Sequence, residues 1–266
     1  MGVKTGETPC TQGNNTIIYH EGLYVIRVNY HRHNYTSGLG NKLFLNFLAR
    51  ALSLETGQPL ENWLKTKIYA GNSDLSVGIS EDNWGYLWPY ISSDESEKTI
   101  VGLGTNCGYG DAYHQNAKTV KLMLKHKQNI IASFGIQDGV FIHVRLGDLI
   151  THKKKRKFVC RHEYYDKCLS MVDTSGGYIA SDSLDHDIVK TLSKKFNLEI
   201  YDNTAEETMI FGSRFNNKIL SLGTFSWWIG FIGNQNNVIH PDPESYPKWH
   251  GDIFSSMDNW NKVSNI

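Results

Sequence analysis

His143, Arg145 and Asp148 close the run Val140-Phe141-Ile142-His143-Val144-Arg145-Leu146-Gly147-Asp148. An arginine beside a histidine and a carboxylate can hold an anion, orient it and move a proton. The run itself starts as an apolar stretch with β-branched and aromatic residues between Gly139 and Gly147, which predicts a strand. A buried strand has no structural need of three ionisable groups, and burying them unpaired is costly. Alternation puts His143 and Arg145 on one face, with Val144 opposite. Two readings are open: a strand end with a surface ion pair, or an anion site with Arg145 as its fixed cation.

Two other strand ends carry polar residues. One is Tyr178-Ile179-Ala180-Ser181-Asp182, and the other is Leu220-Ser221-Leu222-Gly223-Thr224-Phe225-Ser226-Trp227-Trp228. In a parallel sheet such ends share one edge, the edge where ligands bind in open α/β folds. Thr224 and Ser226 stand at N-cap positions, where hydroxyls and free backbone N–H groups face outward. Set against Arg145, they would make a phosphate or diphosphate cradle. Asp182 can accept paired donors from a heterocycle such as guanine. Plain helix capping is the other reading of Asp182 and of Thr224, but three matching ends together favour the cradle.

The elements that position these residues follow from periodicity. Strands are predicted near 140–145, 177–180, 198–201, 218–222 and 237–240, and helices near 162–173, 185–196, 205–214 and 225–232. This alternation implies a parallel, doubly wound α/β sheet. A domain boundary is placed at 135, dividing the chain into domains 1–135 and 136–266 with a cleft between two α/β halves. In the first half, a strand over Leu23–Val28 leads through Ser37-Gly38-Leu39-Gly40-Asn41-Lys42 to a helix starting at Leu43 and stopping at Gly57. Gly38 and Gly40 either let a substrate approach the helix N-terminus or make a tight turn. Trp84, Tyr86, Trp88 and Tyr90 read as core packing or as a sugar-stacking surface. A further helix is expected over Val120–Ile131.

Bulk properties narrow the class. The 266 residues carry 27 Lys+Arg and 27 Asp+Glu, so net charge is zero, which argues against a dedicated nucleic-acid binder. An anion site must therefore be local. No apolar run approaches a membrane span, and the N-terminus is too polar for a secretory signal. Cys10, Cys107, Cys160 and Cys168 lack CxxC spacing and read as free thiols, so a cytoplasmic location is expected. Asp185-His186-Asp187 fits first-turn acidity better than a metal motif. Lys153 to Lys157 reads as a solvated loop able to attract an anion, and His31 and His33 as surface or cleft-lining groups rather than metal ligands.

Four segments together resemble the α-1,2-fucosyltransferases, and more distantly the α-1,6- and protein O-fucosyltransferases. Gly38-Leu39-Gly40-Asn41-Lys42-Leu43-Phe44 resembles the family's Gly-x-Gly-Asn-Gln-Leu-Phe, and His143-Val144-Arg145-Leu146-Gly147-Asp148 its His-x-Arg-Arg-Gly-Asp. Ser181-Asp182-Ser183 is similar to its Ser-Asp-Asp, and Gly223-Thr224-Phe225-Ser226-Trp227-Trp228 to its Ser-Thr-Phe-Ser-Trp-Trp. The resemblance implies a GT-B-like fold of two Rossmann-like α/β domains, the N-terminal one on the acceptor side. It also implies GDP-fucose as donor, a glycan acceptor with an α-1,2 linkage favoured, inversion at the anomeric carbon, and no metal or other cofactor. Carried over by position, Arg145 would bind the β-phosphate and His143 would lie against the nucleoside or fucose. Asp182 would read guanine, with Ser181 among the donor-binding residues, and Thr224, Phe225 and Ser226 would line the phosphates and base. Gly38, Gly40 and Asn41 would touch the donor from the N-terminal domain, and Asp148 would be the catalytic base or orient Arg145. Four positions depart from the pattern: Lys42, Leu146, Ser183 and Gly223 replace Gln, the second Arg, the second Asp and Ser. Another nucleotide-deoxysugar donor or linkage, or a catalytically silent nucleotide-sugar or glycan-binding protein, are the alternatives.

Overall fold

The structure, a computed structural model, describes residues 26–27, 38–56, 60–61, 66–69, 115–173, 176–234, 236–242 and 251–264. The aromatic cluster at Trp84–Tyr90, the segment holding His31 and His33, Cys10 and Cys107 lie outside them, as does most of the strand expected over Leu23–Val28. The described residues divide between two compact units. One draws on 1–37, 41–65 and 72–130, and the other on 38–40, 66–71 and 131–266.

In the first unit, β1 (Ile26–Arg27) pairs in parallel with β2 (Leu60–Glu61). Its described helices are α1 (Leu39–Thr56), from Asn41 onward, and α2 (Ala117–Ile130), while Leu39 and Gly40 at the start of α1 belong to the second unit. The α1 residues Leu43, Phe44, Phe47, Leu48 and Ala51 are buried, the helical stripe expected from their spacing. Glu55 on α1 receives Lys125 Nζ at 2.7 Å and His126 Nε2 at 2.6 Å from α2. The helix starts four residues earlier than the periodicity predicts, so Gly40 lies inside its first turn instead of in a loop before it.

The second unit is a mixed α/β structure. Its strands are β3 (Gln137–Val144), β4 (Gly177–Ser181), β5 (Glu199–Ile200), β6 (Phe215–Ile219), β7 (Asn237–Pro241) and β8 (Asn261–Val263). All pair in parallel, in the order β5-β4-β3-β6-β7-β8. The chain winds outward from β3 in one direction and from β6 in the other, the Rossmann-like arrangement whose reversal point lies between the two central strands. Helices α3 (Gly147–Thr151), α4 (His162–Leu169), α5 (Asp187–Phe196), α6 (Ala205–Ser213), α7 (Thr224–Ile232) and α8 (Gly251–Ser255) complete it, with one 3-10 turn at Arg156–Phe158.

Alternation along β3 separates two packings. Val140, Ile142 and Val144 join Tyr164, Tyr165 and Cys168 of α4 and Val189 and Leu192 of α5 in one buried cluster. Phe141 turns the other way, its ring 5.7 Å from Phe215 and 6.1 Å from Phe211 of α6. Helix α7 is apolar all round and buried along its length, as a helix with no polar face must be. Helix α6 starts with a side-chain N-cap: Thr204 Oγ1 accepts from Glu207 N and donates to the Glu207 carboxylate, while Thr204 N donates to Asn203 Oδ1.

Strand β6 lies three residues earlier than expected. Polar Asn216, Asn217 and Lys218 occupy it, while Leu220 to Leu222 leave the sheet. Side-chain pairing makes this possible. Asn217 donates to Gly139 O and accepts from Asn237 Nδ2, and Asn237 accepts from Asn261. The buried Lys218 amine donates to Phe215 O and Asn234 O. Buried polar groups satisfied in this way carry little of the usual desolvation cost.

Candidate functional site

The carboxyl ends of β3, β4 and β5 and the start of α7 surround a cavity of about 330 Å³. It sits at the reversal point of the sheet, where open α/β folds bind ligands. His143 and Arg145 line it from β3, Ser181 and Asp182 from β4, Tyr201 to Asn203 from the segment after β5, and Phe225 from α7. Gly38 and Leu39 line it as well. The three strand ends singled out in the sequence therefore do converge.

Arg145 holds its guanidinium between two features. Nη2 donates to Asp148 Oδ1 at 3.1 Å. Nη1 occupies the space that a Cβ at Gly223 would fill. Gly223 has φ +121 and ψ 158, a conformation essentially restricted to glycine. It is also the N-cap of α7, so the arginine lies against the positive end of that helix, which has no side-chain cap. The second oxygen of Asp148 accepts from Lys155 Nζ at 2.7 Å. Burial pushes the Asp148 carboxyl up, but the Lys155 hydrogen bond and the Arg145 charge outweigh it and hold it below the usual range.

Asp182 is committed differently from expectation. Its Oδ1 accepts from Leu146 N at 2.8 Å and Gly147 N at 2.9 Å, so it caps α3 and pins the loop carrying Arg145. Only Oδ2 is left for a ligand, and it lies in the space of an absent Gly147 Cβ. Ser181 Oγ accepts from Ser183 N. Asp202, beside Asp182 on the cavity wall, makes no hydrogen bond or ion pair with the described residues. Tyr201 is stacked on Phe211, ring centroids 4.1 Å apart, which fixes the neighbouring wall.

Ser226 turns inward instead of outward. Thr224 is the first residue of α7 and Ser226 the third, so neither is the N-cap. Ser226 Oγ is fully buried, 2.6 Å from His143 Nδ1 and 2.9 Å from Ser221 Oγ, and Ser221 Oγ accepts from Arg145 N at 3.0 Å. Two proton orders satisfy both hydroxyls, Ser221 to Ser226 to Nδ1, or Ser226 to Ser221 and Ser221 to Nδ1 at 3.3 Å, and in both Nδ1 is the acceptor. This assigns the proton of the neutral ring to Nε2, making His143 a donor to whatever fills the cavity. Burial, with the Arg145 charge adding to it, brings the His143 pKa down from 6.5 to about 3. The Phe225 ring lies 4.9 Å from the imidazole.

Gly40 approaches α7 closely, and its carbonyl accepts from Trp228 Nε1 at 2.8 Å. Asn41 accepts from Gln115 Nε2 at 3.1 Å. His186 caps α5 by accepting from Ile188 N, and Asp185 pairs with Lys190. The Asp185–Asp187 motif thus opens a helix. Sequence reasoning missed Tyr201 and Asp202, and it named Ser221 and Lys155 only as members of longer stretches. Ser221 was hidden by the misplaced strand, and Lys155 by a run of similar charges.

The buried histidines predict a pH dependence. Burial lowers His240 to about 4 despite its hydrogen bond to Pro241 O. Both groups bind protons more weakly folded than unfolded. Stability is therefore full above about pH 6.5 and falls as pH drops, by roughly 2 kcal/mol per histidine at pH 5. Thermal midpoints between pH 8 and 5 should fall steeply, and His143→Gln should remove about half of the slope. An unchanged slope would mean that the ring is not held neutral.

A family model described as glycosyl transferase family 11 matches residues 115–256, just over half of the chain and including every cavity residue except Gly38 and Leu39. No curated protein and no solved structure matches the chain.

Proposed function

Because the chain belongs to glycosyl transferase family 11, the α-1,2-fucosyltransferase family, we propose that it transfers fucose from GDP-fucose to a glycan hydroxyl with inversion and without a metal. The observation that carries this reading is Arg145, a fixed cation seated on Gly223 at the start of α7 and opening on the cavity. In the proposed reaction the bond between the anomeric carbon and the diphosphate breaks, releasing GDP, while the acceptor oxygen attacks from the opposite face and gives its proton to water. Negative charge grows on the leaving diphosphate. Arg145 and the α7 N-terminus, fixed before the donor arrives, stabilise it. His143, as an Nε2–H donor, orients the donor. Phe225 lines the diphosphate side, Thr224 is buried behind it against Gly40, and Asp182 Oδ2, with Asp202, reads the base. Asp148, held by two cations, serves Arg145 instead of deprotonating the acceptor. A second domain completing a GT-B cleft would supply the acceptor side, with Gly38, Gly40 and Asn41 near the junction.

One observation favours a second reading. Asp182 gives one oxygen to its own backbone partners, and Ser183 stands where the family has its second Asp. Recognition of a base other than guanine is the consequence. Calorimetry with GDP, UDP and GDP-fucose separates the two. GDP is expected to bind in EDTA and UDP at least tenfold more weakly. Tight UDP binding with none to GDP would sink the first reading, and linkage analysis of the product tests the α-1,2 assignment.

A further inference from the structure

We propose that Lys155 is a positioning residue for the donor diphosphate, supplying the net positive charge that the Arg145–Asp148 pair lacks. The inference rests on the reading of Arg145 as the diphosphate ligand. An arginine paired to a carboxylate at 3.1 Å is close to neutral as seen by an approaching anion. Lys155 Nζ binds the other oxygen of the same carboxylate at 2.7 Å, so the triad carries one positive charge.

The residue that follows Arg145 cannot supply it. Leu146 is fully buried in the cluster on the opposite face of the sheet, among Tyr164, Val189 and Leu192. The charge arrives instead ten residues later, by a path that the backbone secures. Asp182 pins the start of the excursion at Leu146 and Gly147. Lys155 N donates to His152 O at 2.7 Å, and Lys155 O accepts from Phe158 N at 2.9 Å. Lys155 differs in this from Lys153 and Lys154, whose side chains form no ion pair with the described residues and are exposed. With its side chain 39% exposed, Lys155 keeps the freedom to follow Asp148 or to turn to the anion. Of the Lys153–Lys157 run, one lysine thus belongs to the site.

The test is GDP affinity in Lys155→Met, Lys155→Arg and Lys154→Met, with Arg145→Ala alongside and thermal midpoints as the folding control. Lys155→Met is expected to weaken GDP roughly five- to tenfold at low salt, with the deficit shrinking as salt rises. Lys155→Arg should restore affinity to within about twofold, and Lys155→Glu should weaken it further. Lys154→Met should bind as the parent does. The proposal is overturned if Lys155→Met binds GDP normally while Arg145→Ala does not. Equal weakening by Lys154→Met, or no recovery in Lys155→Arg, also overturns it, since a diffuse field or a purely structural role would then explain the loss. If Arg145→Ala itself leaves GDP binding intact, the phosphate reading beneath the proposal fails first.

Discussion

Replacing Arg145 with alanine is expected to lower turnover by about 10²- to 10³-fold, the usual effect of removing one preorganised donor to a developing negative charge. Among the described residues lining the cavity, Arg145 is the only permanent cation, because burial keeps His143 neutral. Its side chain is 21% exposed, so the guanidinium has already left most of its water and is not reorganised when the donor arrives. Folding should survive the change. Asp148 keeps Lys155 as a partner, so no carboxylate is stranded, and the thermal midpoint should move by only a few degrees. Arg145→Lys should recover part of the loss and no more. A lysine is a point charge and cannot span Asp148 and a phosphate with one planar fork. Normal turnover and normal GDP affinity in Arg145→Ala would refute the assigned role.

The parts of this site that were legible in the sequence are those fixed by short-range rules. Period two placed His143 apart from Val144, and the βα alternation put Arg145, Asp182 and Phe225 at one edge. Partner choice was not legible. Asp182 has the composition of a base reader or a cap for the helix that follows it, yet it caps α3, more than thirty residues earlier, because parallel pairing puts Ser181 beside Val144. Ser226 stands three residues past the N-cap position that would expose its hydroxyl, and burial of α7 turns it to His143 instead. The strand at 218–222 was misread for a related reason. Its apolar residues look like sheet, while the true strand half-buries Asn217 and buries Lys218, whose cost is removed only by partners elsewhere in the fold. Lys155 differs from its neighbours only in what it meets in space.

Gly40→Ala offers the sharpest contrast between local preference and packing. Inside an exposed helix, alanine is better than glycine by roughly 1 kcal/mol. At Gly40 the sign should reverse. A Cβ there would stand 2.7 Å from Phe225 N and 2.8 Å from the Thr224 carbonyl carbon, both backbone atoms in the first turn of α7. No rotamer change can relieve a backbone contact, so α7 or the start of α1 must shift. Trp228 holds Gly40 O on the same helix and resists that shift. Overpacking of this kind costs about 1–3 kcal/mol, which should appear as a thermal midpoint several degrees lower. Donor affinity should fall as well, because the turn that moves carries Thr224 and Phe225 and adjoins the seat of Arg145 on Gly223. Gly38→Ala is the matched control. A Cβ at Gly38 meets nothing within 4 Å, so stability should be unchanged or slightly raised. If Gly40→Ala were as stable as the parent, Gly40 would not meet the first turn of α7 at this distance.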